Sequence, residues 1–166
     1  MLWHSYPENL DSFPLQKAYE SLEGDPPSKI PFIIWLLENP DSPVALPGCI
    51  NLYGHDCIHL LLRQGFTSKN EAYVVGFTMG NDVRTNQFHL MIFKFVARAL
   101  YPEKYRIDAS EIEYFERGFE LGRKIHVKNL NRFPFSQWQA KTLQDIRIEI
   151  GLDTNEIPVL GGSLLS

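Results

Sequence analysis

His55 and His59, with Asp56 between them and Glu71 twelve positions after the second, are the residues whose types and spacing could do chemistry here. If residues 48 to 64 are helical, the two histidines sit one turn apart and point the same way. Asp56 falls about 100° around the helical wheel from His55 and reaches the same place from its edge. Imidazole nitrogens joined by carboxylate oxygens are a ligand set for a divalent cation. The blander reading is a pair of histidines that share a helix by chance. Against it stands the apolar run Ile58-His59-Leu60-Leu61-Leu62. Imidazoles and an acid beside a buried surface are costly unless a metal or hydrogen bonds satisfy them. Asp56 is therefore a candidate ligand, or a candidate catalytic base that orients a bound water.

Glu71 has two readings. Ser68-x-x-Glu71 matches a capping box, in which the glutamate only reaches back to a backbone N–H. A glutamate at a helix start is equally placed to enter a metal site from a second helix. Cys57 points away from the histidine stripe and reads as a small packed residue. His4, His89 and His126 have no partners in sequence.

The elements that must position these residues read as helices throughout, so the expected fold is all-α, a single domain of about six or seven helices. Phe13 to Leu22 is a short amphipathic helix stopped by Gly24 and Pro26-Pro27. A proline-led apolar helix covers Pro31 to Leu37, and residues 38 to 47, with three prolines, form a loop. The histidine helix runs from about Pro47 to Arg63 and ends at Gly65. The Ser68 box opens a helix through Phe77, and Gln87 to Tyr101 is an apolar helix closed by Pro102. Asp108-x-x-Glu111 opens a helix from Ala109 to His126, and Ser136-x-x-Gln139 opens one ending before Gly151. No segment shows the period-two alternation of a half-buried strand. Residues 1 to 12 and 155 to 166 read as loose ends. Gly118 and Gly122, one turn apart, let a neighbouring helix approach. The Gln87 to Tyr101 helix, apolar nearly all round, is either a core helix or one that lines a lipid pocket or touches a membrane surface.

The whole sequence bounds the function. At 166 residues, 44% hydrophobic and 13% aromatic, it specifies one folded domain with a core. A net charge of −4 makes nucleic acid a poor partner. Cys49 and Cys57 form no Cys-x-x-Cys pair, which fits a reducing compartment. No apolar run reaches the roughly 18 residues of a membrane span, and no targeting segment is read at the N-terminus. The expected location is cytoplasmic, with any membrane contact peripheral on the inner face.

His55-Asp56-x-x-His59, eleven intervening residues and Glu71 resemble the metal-site signature of the coenzyme Q biosynthesis protein four family. The likeness is strongest from Gly54 to Gly80, and Leu143-Gln144-Asp145-Ile146-Arg147 resembles the family's closing segment. Asn70 stands where family members usually carry glycine. The resemblance implies an all-helical peripheral membrane protein of ubiquinone synthesis, with His55, Asp56, His59 and Glu71 around zinc beside a site for a polyprenyl lipid. It also implies C1 decarboxylation and hydroxylation of a prenylated aromatic acid, or a non-catalytic scaffold for other quinone biosynthesis enzymes, with a homodimer as one possible assembly. Zinc has no redox chemistry, so an oxidative step would call for oxygen on an activated ring or for a redox metal. A His-Asp phosphohydrolase is a lesser alternative, since it leaves Glu71 unused and lacks an upstream histidine close by.

Overall fold

The computed structural model describes residues 9–22, 46–99 and 109–158, without the side chains of 96–99 and 109–110. Among these the protein is all-α. Six helices are present: α1 Leu15–Glu20, α2 Leu52–Leu61, α3 Ser68–Asn81, α4 Gln87–Ala99, α5 Ala109–Lys124 and α6 Leu143–Ile150. Short 3-10 turns join them, and the one β-type pairing is an isolated bridge between Pro14 and Thr142. No described helix is long and apolar enough to cross a membrane.

Local chemistry sets the boundaries. Asn51 caps α2 by accepting the Gly54 N–H at 2.8 Å, so the helix begins at Leu52 and not at Pro47. Thr67, not Ser68, caps α3, accepting the Asn70 N–H at 3.3 Å. The Ser136 box does not open a helix. Phe135–Trp138 is a 3-10 turn, and Thr142 caps α6 through the Asp145 N–H at 3.1 Å. Gly151, at φ +76°, ends α6 in the left-handed conformation that glycine adopts without strain. α1 is shorter than the span from Phe13 to Leu22, because the Phe13 carbonyl is taken by the Leu143 N–H. α3 outlasts Phe77 by a turn, whereas α5 stops at Lys124, short of His126. The expected helix over Pro31 to Leu37, the Asp108 cap and the stop at Pro102 fall outside the described residues.

The expected loose ends are partly ordered. Leu10 is wholly buried in a 3-10 turn, and Ile157 joins the core after a second such turn at Thr154–Glu156. Ile58, Leu61, Phe77, Leu121 and Ile146 bring α2, α3, α5 and α6 into one apolar cluster. Truncating one such residue to alanine costs about 2–5 kcal/mol.

α3 and α5 form the closest helix pair. A Cβ on Gly76 would strike the Phe115 carbonyl, and one on Gly80 the Phe119 carbonyl. Gly118 and Gly122 meet the Tyr73 and Phe77 carbonyls in the same way. Because rising numbers on one helix meet rising numbers on the other, the two run parallel, joined through α4. The close approach expected from Gly118 and Gly122 thus requires a second glycine pair, Gly76 and Gly80, on the facing helix.

Candidate metal centre

α2 presents His55 and His59 on one face, with ring centroids 4.6 Å apart. The turn of residues 62–67 then reverses the chain. Arg63 takes a positive φ of 51°, and the Gln64 N–H returns to the His59 carbonyl at 3.0 Å. This reversal sets the first turn of α3 against the histidines. Glu71 does not reach back to cap its own helix in the expected box. Its Oε2 faces His59 Nε2 at 3.3 Å and His55 Nε2 at 3.4 Å. One nitrogen from each ring and one Glu71 oxygen lie within 4.8 Å of one another. Thr67 does the capping of α3, and Glu71 faces the imidazoles.

The surroundings fix the rings. His59 is 1% exposed, stacks on Phe66 at 4.7 Å, and holds Nδ1 at 3.3 Å from the Gln64 carbonyl. A ring whose Nδ1–H donates to a carbonyl has its lone pair on Nε2, the arrangement that tunes a histidine ligand. His55 and Glu71 remain partly open, with 21% and 37% of their side chains exposed. The group is therefore closed behind His59 and accessible from the Glu71 side.

Electrostatics show what the group lacks. Burial and the neighbouring His59 charge push His55 down to about 4, against the pull of Glu71. Burial also opposes charge on His59. The Glu71 carboxylate, its hydrogen bond, Asp56 and the Gln64 carbonyl outweigh that and raise its pKa. Burial acts to raise Glu71, but the two imidazoles lower it overall. In the metal-free group the Glu71 carboxylate favours a proton on His59, and burial disfavours one on His55. Two imidazole nitrogens and a carboxylate oxygen facing one another could hold a cation in place of that proton.

Asp56 stands outside this compact group of three. It is half-buried, and its pKa is raised to about 6, chiefly by burial, with His59 lowering it and Glu71 raising it. Its charge also acts on Tyr19 and Cys57 on its other side. Cys57 is buried and its thiol is pushed up to about 12, in keeping with a packed residue. His126 faces the Glu149 carbonyl through Nε2 at 2.8 Å, and His89 lies beside the Asn86 N–H, both away from the group. His4 is outside the described residues.

Arg147 supports the group and was not singled out by sequence. It is 2% exposed, donates to the Leu60 and Leu61 carbonyls at 2.9 and 2.8 Å, and pairs with Asp11 at 2.7 Å. Those carbonyls belong to the last turn of α2, directly after His59, where a helix leaves acceptors unpaired. The basic position in Leu143-Gln144-Asp145-Ile146-Arg147, apolar on either side, was the available signal.

No family model, curated protein or solved structure matches this chain.

Proposed function

We propose that this protein binds a divalent cation through His55, His59 and Glu71 and uses it on an amphiphilic carboxylate. The observation that carries the reading is the approach of Glu71 Oε2 to both imidazole Nε2 atoms at 3.3 and 3.4 Å. Donors about 2.0–2.2 Å from a tetrahedral zinc stand roughly 3.3 Å from one another. The two Glu71 separations match that edge, and all three donor atoms lie within 4.8 Å of one another.

His55, His59 and Glu71 would hold the cation, and Asp56 is placed to join them or to accept a proton nearby. A bound cation supplies Lewis acidity and a water of lowered pKa. The chain's own residues do the rest. His59 is fixed by Phe66 and the Gln64 carbonyl. The partly exposed Glu71 side leaves access for a ligand. Two histidines and one carboxylate suit zinc or non-haem iron better than magnesium, which prefers oxygen donors.

The resemblance to the coenzyme Q biosynthesis protein four family narrows the ligand to a prenylated aromatic acid. The reaction would be C1 decarboxylation with hydroxylation, in which the carboxyl leaves as carbon dioxide and dioxygen is the oxidant and the source of the hydroxyl oxygen, with polyprenyl lipid and quinone biosynthesis enzymes as partners. A non-catalytic scaffold that holds the same lipid is the second reading, favoured by the absence of a described residue other than Asp56 placed for proton transfer. The pairing of the histidines with Glu71, and not with Asp56, weighs against a His-Asp phosphohydrolase.

The test is metal analysis of purified protein beside His59→Ala and Glu71→Gln, followed by turnover of a short-chain prenyl hydroxybenzoate. One equivalent of metal in wild type and its loss from both variants is the expected result. Equal metal in all three would overturn the site. Metal without turnover, with lipid co-purifying, would select the scaffold.

A further inference from the structure

We propose that Gln64 is a positioning residue for the metal centre, its side chain holding its own backbone carbonyl against His59 Nδ1. That role rests on the metal-binding reading and adds what orients one of the ligands. His59 and Gln64 are joined twice. The Gln64 N–H donates to the His59 carbonyl at 3.0 Å, and His59 Nδ1 lies 3.3 Å from the Gln64 carbonyl. Main chain and ring of one histidine are thus tied to a single residue past the end of α2, so a shift of that residue moves the imidazole.

The Gln64 carbonyl does not hold itself in place. α2 ends at Leu61, so no helical ladder constrains it. It follows Arg63, whose φ of 51° lies in the left-handed region that a side chain enters only at a cost. The anchor is the Gln64 amide, which is 4% exposed. Its Nε2 donates to the Leu62 carbonyl at 2.9 Å and to the Pro158 carbonyl at 3.3 Å. The first bond closes the turn from within. The second ties the turn to the segment after α6, 94 residues further on.

Oε1 of the same amide is buried and has no partner among the described residues. A buried acceptor without a donor is a cost, and a residue that keeps one calls for a reason. The two donors supply it. A methionine at 64 would fill the space without the orphaned oxygen, but it would release both carbonyls and with them the turn. A glutamate would offer only acceptors to two acceptors. Arg147 does the comparable task on the carbonyls just before, those of Leu60 and Leu61. Its bonds fix the end of α2, whereas Gln64 fixes the oxygen that His59 touches. A histidine ligand whose second nitrogen keeps its partner presents the first in one orientation.

The experiment compares full-length wild type with Gln64→Ala and with Gln64→Met, which keeps the volume and serves alone if the alanine variant misfolds. NMR of the metal-free proteins reads exchange of the His59 Nδ1 proton with water, and competition with a chromophoric chelator reads zinc affinity. The expected result is a ring proton protected in wild type that exchanges at least about tenfold faster in the variants, with zinc affinity about 10–100-fold lower. Phe93→Leu, in the separate apolar cluster with Phe115, should lower the thermal midpoint and leave both readouts unmoved. A ring proton as protected in the Gln64 variants as in wild type overturns the proposal. So does a zinc affinity that they leave unchanged, or that Phe93→Leu lowers equally. If wild type binds no zinc, the metal reading alone fails, and the ring proton still decides whether Gln64 holds His59.

Discussion

The two ends of α3 carry polar clusters that look alike in sequence and differ in what they leave unsatisfied. At the far end, Asp82 is buried with its oxygens fully engaged. Gly48 N–H donates to it at 2.9 Å, Asn131 Nδ2 at 3.0 Å, and Arg84 through both backbone and guanidinium. Burial disfavours its charge, but those donors hold the carboxyl below its ordinary value. Beside it, Asn81 accepts the Leu130 N–H at 2.7 Å and donates to the Val127 carbonyl at 2.8 Å. Acid and donors balance there, and the result is a clasp between α3 and two loops. At the near end, Glu71 Oε2 meets the Nε2 atoms of two imidazoles at 3.4 and 3.3 Å, with no further donor in the compact group. The first cluster surrounds its acid with donors from within the protein, leaving only Asn131 Oδ1 without one of its own; the second is a compact group that could hold a cation. Burial and charge alone would have ranked Asp82 above Glu71 as a functional acid. The balance of donors against acceptors reverses that ranking.

The comparison breaks most visibly if the clasp is removed. Asp82→Ala strands the Gly48 N–H, the Asn131 amide and a guanidinium, and should cost about 3 kcal/mol by urea denaturation. Glu71→Gln in metal-free protein should cost no more than about 1 kcal/mol, because the site is partly open to solvent. The same Glu71→Gln change should weaken zinc binding at least about 100-fold, read by competition with a chromophoric chelator. A reversal of these two costs, with Glu71 the more destabilising, would make it a structural acid as well. Between the two ends, Gly80→Ala forces a Cβ against the Phe119 carbonyl and should lower stability by about 1–3 kcal/mol. That is a fall of several degrees in thermal midpoint for a chain of this size. A fall in zinc affinity in Gly80→Ala would show that the parallel α3–α5 contact also positions Glu71.

The helical fold was legible because its signals are local: cap residues, breaking prolines and the absence of period-two alternation. Exact starts were less so. Thr67 and Ser68 are both good caps, and so are Ser136 and Thr142; tertiary bonds such as Leu143 N–H to the Phe13 carbonyl decide between them. His55 and His59 were readable from their spacing on one helix. Glu71 was readable only as two alternatives, since helix register alone does not say which side of α3 meets α2. Arg147 and Asp82 were harder to read. A lone basic residue between isoleucines marks Arg147 but not what it meets, since its carbonyl partner Leu61 lies 86 residues away, and Asp82 meets Gly48 across 34. Asp56 was placed with the ligands by its angle on the wheel. The structure leaves it outside the compact group of three, although its charge still acts on His59 and Glu71 as well as on Tyr19.

The finest test of the contrast is acid titration of the metal-free protein, because the two ends lose stability in different windows. His55 is held down to about 4 from an ordinary 6.5, so between those values the unfolded chain takes up a proton that the folded chain refuses. Its effect is a loss of stability as pH falls through that window. His59, raised by Glu71, works in the opposite sense. Its contribution is whole below about 6.5 and disappears as pH rises through its folded value. Asp82 is lowered, so its contribution holds above its ordinary 3.8 and is lost only as pH falls below that. Replacing His55 by Asn should therefore flatten the stability curve between pH 6.5 and 4, by about 1 kcal/mol after solvent screening, without moving the acid limb beneath it. Asp82→Ala should move that lower limb alone. A His55→Asn curve parallel to wild type down to pH 4 would mean that His55 titrates as an ordinary exposed histidine, and that burial at the near end of α3 does not disfavour its charge.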